Sequence, residues 1–390
     1  MGNTALIDRA LADGITGTKV AGVVAAAADA NGVVYDDAFG RRNLTNTARM
    51  TTDTVFRIAS MTKAITGAAC MQMVERGKLD LDQPAGEILP FLANPQVLLG
   101  FDAKGNPIMR SARGQVTLRK LLTHTAGFVY DTWNEDMNRF ATHTGLPAAR
   151  TGKLGALAAP LGFDPGERWE YGINIDIAGR MVEVASGMDL ETYFRRYLFD
   201  PLGMPDTGFV LRPEWENRLA TVHSRGEDGS LTPIDVPRPV ENPEFFPGGG
   251  GLFSTARDYL TFLQALMHGG RFNGAQILRP ETVALMGENH MGALNVLPMI
   301  TQKPAMSNDV ELFPGMDKKW GLSFLINTRD VPGRRSAGSL AWAGINNTYY
   351  WLDPAKKVAG VLMTQVLPFG DPAVLGLLDR FEEAVYQTVG

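Results

Sequence analysis

The sequence predicts an α/β (α+β) protein whose antiparallel sheet is formed by both chain ends and flanked by helices, with a mainly helical domain inserted between them. Strand patterns occupy the start and the end of the 390-residue chain, and helical patterns separated by Pro and Gly turns fill the middle. The chain is also long for a single simple core. We therefore expect an α/β domain at residues 1–80 and 311–390, and a mainly helical insertion at residues 81–310.

Two strands and a buried helix are predicted in the first part of the chain. Residues 20–28 are rich in Val and Ala, Asn31-Gly32 is a strong turn signal, and an extended pattern resumes over residues 33–39. Together these features predict a β-hairpin. Residues 60–76 then leave almost no polar face, and a glycine follows as a stop. This second pattern predicts a helix that is buried on most sides and central to the fold.

Helical spacing dominates the middle of the chain, and extended segments return at its end. The predicted middle helices are residues 118–122, 175–185 and 256–268. The predicted final strands are residues 339–345, 348–352 and 358–365, followed by a closing helix at residues 372–388. With the first hairpin, these strands complete the expected sheet.

Composition and charge exclude several function classes. The net charge is −5 and no basic run occurs, which argues against a nucleic-acid partner. No segment approaches the ~20 apolar residues that cross a bilayer, so no membrane association is expected. The first twenty residues are interrupted by Asp8, Arg9 and Asp13 and lack the pattern of a secretory signal. The single cysteine, Cys70, is expected to be a buried, inert thiol, and a cytoplasmic location is favoured.

Neither a metal nor a cofactor is expected. The five histidines show no HExxH or Cys-His spacing, and the glycine run at residues 248–251 lacks the GK[ST] ending of a phosphate-binding loop. We interpret this run as a tight turn near a cleft. Only His124 lies in a recognisable segment, LLTHTAG, where a role in bracing the turn is favoured over catalysis.

The motif Ser60-Met61-Thr62-Lys63 carries the strongest chemical signal. Its serine and lysine are three residues apart at the start of the predicted helix, so the hydroxyl and the amine share one face. A lysine on an otherwise apolar helix is partly desolvated, which lowers its pKa and allows it to take the serine proton near neutral pH. The positive potential of the helix N-terminus favours negative charge that develops on the nucleophile.

Two further segments could complete such a site. Tyr171 lies at a predicted loop-to-helix junction, and its phenol, if held near a lysine ammonium, would have a depressed pKa and could exchange protons. Trp342, Gly344 and Ile345 lie on a predicted strand, where a glycine would let a substrate carbonyl approach backbone N–H groups. Taken alone, Tyr171 is typical of a half-buried packing residue, and the segment that contains Trp342 is typical of an ordinary core strand.

These motifs, in this order, resemble the serine β-lactamase-like superfamily of class C β-lactamases and penicillin-binding proteins, and most closely its family VIII carboxylesterases. The resemblance extends over most of the chain and implies the class C β-lactamase-like fold. It includes SMTK, LRKLLTHTAGFVY, PGERWEYG, GGGGLFSTARDY and WAG. Other segments, GFDAKGNPIMRSARGQVTLRKLLTHTAG and YGINIDIAGRMVE, are also similar to the fungal acyltransferase of this superfamily that loads the lovastatin side chain.

The resemblance implies a role for each matching residue. Ser60 would be the nucleophile, Lys63 the base or the group that tunes it, and Tyr171 the proton shuttle to the leaving group. The backbone N–H groups of Ser60 and Ile345 would form the oxyanion hole. In addition, Tyr130 and the WAG tryptophan would line the pocket for the acyl or alcohol group.

Two departures from the β-lactamase pattern bear on the substrate. Trp342 stands where β-lactamases have a lysine that helps to bind a carboxylate, and it offers a large apolar face with one N–H donor. Ile173 stands where they have an asparagine, and Asn174 comes one position late. Both changes favour a neutral, more apolar ester.

We therefore expect a serine carboxylesterase that hydrolyses short to medium neutral carboxylic esters through an acyl-Ser60 intermediate, with a small-molecule ester as its partner. An acyltransferase or a β-lactamase that uses the same acyl-enzyme is the alternative. A catalytically silent penicillin-binding-type module is disfavoured because Ser60, Lys63 and Tyr171 are all present.

Overall fold

A large antiparallel sheet organises the protein. The computed structural model describes residues 4–16 and 20–389. The strands of the described chain are β1 (Gly22–Asp29), β2 (Gly32–Gly40), β3 (Phe56–Arg57), β4 (Gln96–Phe101), β5 (Pro107–Ser111), β6 (His223–Arg225), β7 (Leu231–Pro233), β8 (Phe253–Ser254), β9 (Arg271–Phe272), β10 (Ala275–Gln276), β11 (Lys318–Trp320), β12 (Leu325–Asn327), β13 (Leu340–Gly344), β14 (Thr348–Asp353), β15 (Val358–Met363) and β16 (Val366–Leu367).

Seven of these strands form the main sheet, in the order β11-β12-β13-β14-β15-β1-β2. Neighbouring strands are antiparallel, and β15 pairs with β1 so that Val24 lies opposite Met363. This pairing confirms the predicted sheet from both chain ends. All residues of β1 except Asp29 are buried, which explains a continuous Val and Ala run in place of an alternating pattern.

The hairpin turn lies one residue earlier than predicted. Strand β1 ends at Asp29 and β2 begins at Gly32, so that Ala30 and Asn31 form the turn. The cause is the Asp29 side chain, whose Oδ1 accepts from the N–H groups of Asn31 and Gly32 at 2.7 and 3.2 Å.

Helices cover both faces of the sheet. They are α1 (Ala5–Ile15), α2 (Thr62–Glu75), α3 (Leu118–Leu122), α4 (Glu135–Thr144), α5 (Asn174–Ser186), α6 (Leu190–Phe194), α7 (Asp200–Leu202), α8 (Pro213–Glu216), α9 (Ala256–Met267), α10 (Pro280–Met286) and α11 (Pro372–Val389). Within β14, Trp351 packs against Phe381 of α11, whereas its neighbour Tyr350 packs against Tyr259 of α9. Because successive strand residues point to opposite faces, α11 and α9 lie on opposite sides of the sheet.

Helix α2 is the central helix, as predicted. Residues 62–73 are all buried, and α2 packs against α5. Its first turn is tied to α9 because the Tyr259 hydroxyl donates to the Met61 carbonyl over 2.8 Å. Cys70 is buried on this helix and burial raises its thiol pKa, in agreement with the expected inert thiol.

The middle of the chain contains more extended structure than predicted. Strands β4 to β10 form small two- and three-stranded sheets there, and β11 and β12 add an unpredicted edge to the main sheet. Most are two or three residues long, too short to show alternation. The predicted domain boundaries stay a prediction. Within the described ranges, no helix combines the length and apolarity that crossing a membrane would require.

Candidate active site

A tight turn presents Ser60 at the start of α2. The preceding residue, Ala59, has a φ of +45°, which lies in the left-handed region that is unfavourable for a residue with a Cβ. The 3₁₀ turn Ala59–Met61 then runs directly into α2, so Ser60 stands one turn before Lys63. An alanine gives no sequence signal for a positive φ, and this strain was not predicted.

The Lys63 ammonium is fully buried and uses all three of its donors. Its Nζ donates to Ser60 Oγ over 3.1 Å and to the Tyr130 hydroxyl over 3.2 Å. A third and shorter bond of 2.6 Å goes to the Gly249 carbonyl. Because an ammonium has three N–H donors, these partners satisfy it completely. The structure thus brings the two ends of the Ser-x-x-Lys motif together and adds partners from two distant segments.

Burial tunes Lys63 for proton exchange near neutral pH. Removal from water lowers its pKa to about 7, although the negative charge of Asp176 acts in the opposite direction. An amine with this pKa is present in both protonation states near neutrality and can accept a proton from Ser60. The predicted depression of the Lys63 pKa is confirmed.

Tyr171 is hydrogen bonded to Ser60 through the two hydroxyls, and its oxygen accepts from Trp342 Nε1 over 2.8 Å. The predicted depression of the Tyr171 pKa is wrong. Burial raises that pKa, and the two hydrogen bonds offset only part of the effect. The geometry explains the difference, because Lys63 Nζ faces the Tyr171 ring, 4.7 Å from its centroid. Tyr171 is therefore a neutral phenol that can donate its proton and can accept another only as it gives up its own.

Aromatic rings hold Tyr171 in place. The ring centroids of Trp342 and Tyr130 lie 4.9 and 5.2 Å from that of Tyr171. Trp320 packs edge-on against Trp342 at 4.6 Å and anchors itself by donating from Nε1 to the Leu122 carbonyl. Since the Trp342 N–H is already bonded to Tyr171, a substrate would meet the apolar face of Trp342 and not the N–H donor expected from the sequence.

Strand β13 brings Ile345 close to the turn that carries Ser60. Ser60 and Ile345 both line the main cavity, so the two predicted oxyanion donors belong to adjoining segments. Gly344 lies outside the cavity lining, and a Cβ there would come within 2.3 Å of the Ile58 carbonyl oxygen. This glycine therefore allows β13 to approach the Ser60 turn. Its contact with substrate, like the oxyanion hole itself, stays a prediction.

The cavity beside Ser60 has a volume of about 270 Å³ and is mainly apolar. Tyr130, Ile173 and Trp342 line it, as expected for a pocket that holds an acyl or alcohol group. Much of the remaining wall comes from small side chains in and after α4, namely Ala141, Ala148, Ala149, Ala156 and Ala159. Small side chains at these positions leave this part of the cavity open.

Arg150 also lines this cavity and was not identified from the sequence. It is exposed, and no ion pair or hydrogen bond involves its side chain in the part of the chain that the structure describes. An arginine without a carboxylate partner at the wall of an apolar cavity can bind an anionic group of a ligand.

Asp176 is the second residue that sequence reasoning missed. It lies on α5 with 2% of its surface exposed, lines the cavity, and accepts at Oδ1 from the Gly249 N–H over 2.9 Å. Burial raises the pKa of its carboxyl, and the Lys63 charge opposes this. The signal was present, because Asp176 interrupts an apolar helical pattern between Ile175 and Ile177 just as Lys63 interrupts α2.

His124 and Asn174 support the loop that carries Tyr171. Both are fully buried, and His124 Nδ1 lies 3.1 Å from Asn174 Nδ2, which also donates to the Phe128 carbonyl over 2.8 Å. The Gly172 N–H reaches the same imidazole nitrogen at 3.4 Å. These contacts give His124 a structural role, although they brace the Tyr171 segment and not the LLTHTAG turn named in the prediction. Across residues 4–16 and 20–389, no group of three or more His, Cys, Asp or Glu side chains is arranged to hold a metal ion.

Comparisons with known proteins agree with this geometry. The family model described as Beta-lactamase matches residues 7–382. ML-236A carboxylate methylbutanoyltransferase from Penicillium citrinum is 34% identical, with 95% of this chain and 91% of that protein covered. Lovastatin esterase from Penicillium rubens is 30% identical, with 95% of each chain covered. The unliganded simvastatin synthase (LovD) structure from Aspergillus terreus superposes with a TM-score of 0.86 at 32% identity and covers 98% of each chain.

Proposed function

The chain belongs to the beta-lactamase family of serine hydrolase-type enzymes, and we propose that it acts as an acyltransferase. In this proposal Ser60 takes an acyl group from an activated ester and passes it to the hydroxyl of a second, apolar substrate. We favour transfer over hydrolysis because the chain is 34% identical to a methylbutanoyltransferase over 95% of its own length. The carboxylesterase expected from the sequence becomes the second candidate.

Acylation of Ser60 would use the two proton-exchanging groups in turn. Neutral Lys63 takes the Ser60 proton as Oγ attacks the donor carbonyl, and the N–H groups of Ser60 and Ile345 face the oxyanion that forms. Collapse of the tetrahedral intermediate breaks the bond to the leaving group. Tyr171 donates its proton to that oxygen and regains one from the Lys63 ammonium through the hydroxyl of the leaving alcohol.

Transfer to the acceptor reverses these steps. Tyr171 accepts the proton of the acceptor hydroxyl while it passes its own to Ser60 Oγ, or Lys63 takes the acceptor proton and returns it to Oγ. The acceptor oxygen attacks the acyl carbon, and the bond from that carbon to Ser60 breaks. The net reaction exchanges one alcohol of an ester for another. The bond from Trp342 Nε1 to the Tyr171 oxygen supports this role because it fixes the phenol while leaving its proton free to move.

The apolar wall of the cavity favours an organic acceptor over water. An apolar alcohol gains free energy by leaving water, whereas a water molecule gains little from the alanine-rich wall beyond α4. A bound acceptor would also displace water from the acyl-enzyme and hold its hydroxyl near the acyl carbon. The cavity thus supplies a physical basis for transfer.

The acceptor is proposed to carry a carboxylate. The Penicillium citrinum relative acts, by its name, on a carboxylate. In this chain the Arg150 guanidinium lies at the cavity wall and has no ion-pair partner within residues 4–16 and 20–389. A bidentate bond from Arg150 to a carboxylate would orient an apolar substrate that otherwise has few polar contacts. Trp342 contributes an apolar face to the cavity in place of a further cation, so the carboxylate and the hydroxyl of the acceptor would bind at different ends of the cavity.

Hydrolysis is kept as a second candidate because lovastatin esterase is 30% identical and also covers 95% of the chain. An esterase of this design would use the same acyl-Ser60 intermediate with water as the attacking group. The two functions therefore differ only in whether the acyl group on Ser60 passes to an organic acceptor or to water.

The partition of the acyl group tests the proposal. With p-nitrophenyl butyrate as donor, a long-chain hydroxy acid as acceptor should raise the rate of p-nitrophenol release and divert most of the butyryl group into the new ester at low millimolar acceptor. The products are measured by liquid chromatography. A small polar alcohol at the same concentration is the control and should divert little.

If butyric acid stays the dominant product at every acceptor concentration, the chain is an esterase and the transferase proposal is wrong. If Ser60→Ala releases p-nitrophenol as fast as the unmodified protein, the acyl-Ser60 intermediate is wrong for both candidates.

A further inference from the structure

Asp176 is a buried carboxylate at the cavity floor that the proposed proton transfers do not use. It is held by two contacts, the Gly249 N–H at 2.9 Å on Oδ1 and the Tyr130 hydroxyl at 3.5 Å on Oδ2. A carboxylate this deeply buried is costly unless it is paired with a charge or fully hydrogen bonded. In the described chain it has no direct ion pair, so its counter-charge must be sought one contact further away.

Both residues that hold Asp176 also hold Lys63. Tyr130 donates to Asp176 and accepts from Lys63 Nζ at 3.2 Å, so its phenol stands between an ammonium and a carboxylate. Gly249 presents its N–H to Asp176 and its carbonyl to Lys63. The fit leaves no space, since a Cβ on Gly249 would lie 2.3 Å from Asp176 Oδ2. Lys63 and Asp176 are therefore linked twice, by a side chain and by one peptide segment.

The linkage matters most at the moment when Lys63 takes the Ser60 proton. The new ammonium is completely buried, and a buried cation without a counter-charge is strongly unfavourable. The negative charge of Asp176 acts in favour of the cation, against the dominant effect of burial. Without it, Lys63 would be a weaker base.

We propose that Asp176 is a positioning residue for Lys63, which acts through Tyr130 and Gly249 to orient the ammonium and to supply the counter-charge for the proton received from Ser60. This inference rests on the proposed acyl-Ser60 chemistry. No proton leaves the cluster in the process: it moves from Ser60 Oγ to Lys63 Nζ, and the negative charge of Asp176 balances the ammonium that results.

The titratable groups around Lys63 come from three segments. Asp176 faces it from α5, Tyr171 from the segment before α5, and Tyr130 and His124 from the connection between α3 and α4. Burial and the neighbouring Lys63 charge lower the pKa of His124 well below its usual value, so it stays neutral. Burial raises the pKa values of both tyrosines. Asp176 is thus the group whose charge can set that of Lys63 near neutral pH.

A purely structural role for Asp176 makes a different prediction. The residue lies in the first turn of α5, where a carboxylate also stabilises the helix N-terminus. Loss of that contribution would lower stability, but it would leave the pH at which Lys63 deprotonates unchanged. The pH profile therefore separates the two roles.

The test is the pH dependence of Ser60 acylation in Asp176→Asn, a nearly isosteric change that keeps an acceptor for the Gly249 N–H. The rates of p-nitrophenyl butyrate turnover (kcat/KM) and of fluorophosphonate labelling of Ser60 are both measured. In the unmodified protein the acid limb should lie near pH 7, the Lys63 pKa. In Asp176→Asn we expect this limb about one pH unit or more lower, because an attractive charge has been removed. The plateau should fall roughly 3- to 10-fold, because the base is weaker.

Glu183→Gln is the matched control, since Glu183 is a buried carboxylate on the same helix that accepts from the Leu190 and Phe246 N–H groups, away from Lys63. It should lower the melting temperature without moving the limb. An acid limb that stays in place in folded Asp176→Asn overturns the inference.

If Asp176→Asn does not fold, Tyr130→Phe serves instead. It removes the bridging hydroxyl and should move the limb in the same direction by a smaller amount, and an unmoved limb would again reject the linkage. These outcomes differ from failure of the proposed acyl-Ser60 chemistry, in which fluorophosphonate would not label Ser60 in the unmodified protein, and from failure of acyl transfer, in which butyric acid would stay the dominant product.

Discussion

Two buried cation–carboxylate pairs lie on opposite faces of the sheet and are joined in different ways. On the α11 side, Arg335 and Glu382 are 4% and 1% exposed and meet directly through two hydrogen bonds of 2.8 and 2.6 Å. On the α9 side, Lys63 and Asp176 are equally buried but meet only through Tyr130 and Gly249.

The difference in contact changes what each cation can do. Burial works against the charged form of Arg335, yet the charge and hydrogen bonds of Glu382 outweigh it and raise the guanidinium pKa. For Lys63 burial dominates, and the pKa falls to about 7. A direct, bidentate pair is thus fixed in its charged state, whereas an indirect pair leaves its lysine able to exchange protons. The first stabilises the fold, and the second is available for chemistry.

Breaking the direct pair should have the largest effect on stability. Glu382→Gln leaves the Arg335 cation buried without its counter-charge, and we expect the free energy of unfolding to fall by about 3–5 kcal/mol. Urea denaturation followed by tryptophan fluorescence measures this. The acid limb of kcat/KM should stay in place. A loss below about 1 kcal/mol would mean that the direct pair is no more structural than the indirect one.

Removing Lys63, the lysine of the indirect pair, should have a large effect on activity and a smaller effect on stability. Lys63→Met deletes the base and should lower kcat by roughly 10² or more, while the free energy of unfolding changes less than in Glu382→Gln because a desolvated amine is replaced by an apolar side chain. The same denaturation series and p-nitrophenyl ester kinetics provide both numbers. Retention of near-normal kcat would remove Lys63 from the proposed proton transfers.

Tyr171→Phe examines the group that shares Ser60 with Lys63. It keeps the ring and its aromatic contacts but loses the oxygen bonded to Ser60 and Trp342, so kcat should fall by roughly 10² with little change in melting temperature. Combined with Lys63→Met, the loss should be less than the product of the two, because groups that act as a unit are not additive. Full multiplicativity would show that the two act in separate steps.

The smallest effect is expected for Arg150, an exposed cation without an ion-pair or hydrogen-bond partner among the residues that the structure describes. Arg150→Ala should raise the KM for a hydroxy-acid acceptor about tenfold, corresponding to one charge-assisted contact, and leave the KM for its methyl ester unchanged. Lys153→Ala, a nearby exposed cation outside the cavity lining, is the matched control and should change neither value. Equal effects on acid and ester would reject Arg150 as a carboxylate contact.

Local patterns account for what could be predicted from the sequence. Ser60 and Lys63 lie three residues apart on one helix, so their contact follows from helix geometry alone. The sheet built from both chain ends was predicted from strand patterns of five or more residues. Strands β11 and β12 were missed because three residues are too few to show an alternating pattern.

Contacts between distant segments account for most of what was missed. The bond from Trp342 to Tyr171 spans 171 positions, and that from Gly249 to Lys63 spans 186. No spacing rule reaches that far. Asp176 is a different case, since a carboxylate within an apolar helical pattern was visible and was passed over. The direction of the Tyr171 pKa shift depended on whether a cation faced the oxygen or the ring, which only coordinates resolve.

The central claim is that an acyl group on Ser60 passes to an organic acceptor. Intact-protein mass spectrometry after rapid mixing with p-nitrophenyl butyrate should detect a butyryl adduct, and peptide mapping should place it on Ser60. Chasing this adduct with buffer alone, or with buffer that contains a long-chain hydroxy acid, measures its decay by the two routes. We predict decay at least tenfold faster with millimolar acceptor, with the butyryl ester of the hydroxy acid as the product. Decay at the same rate in both chases, with butyric acid as the product, would contradict the account.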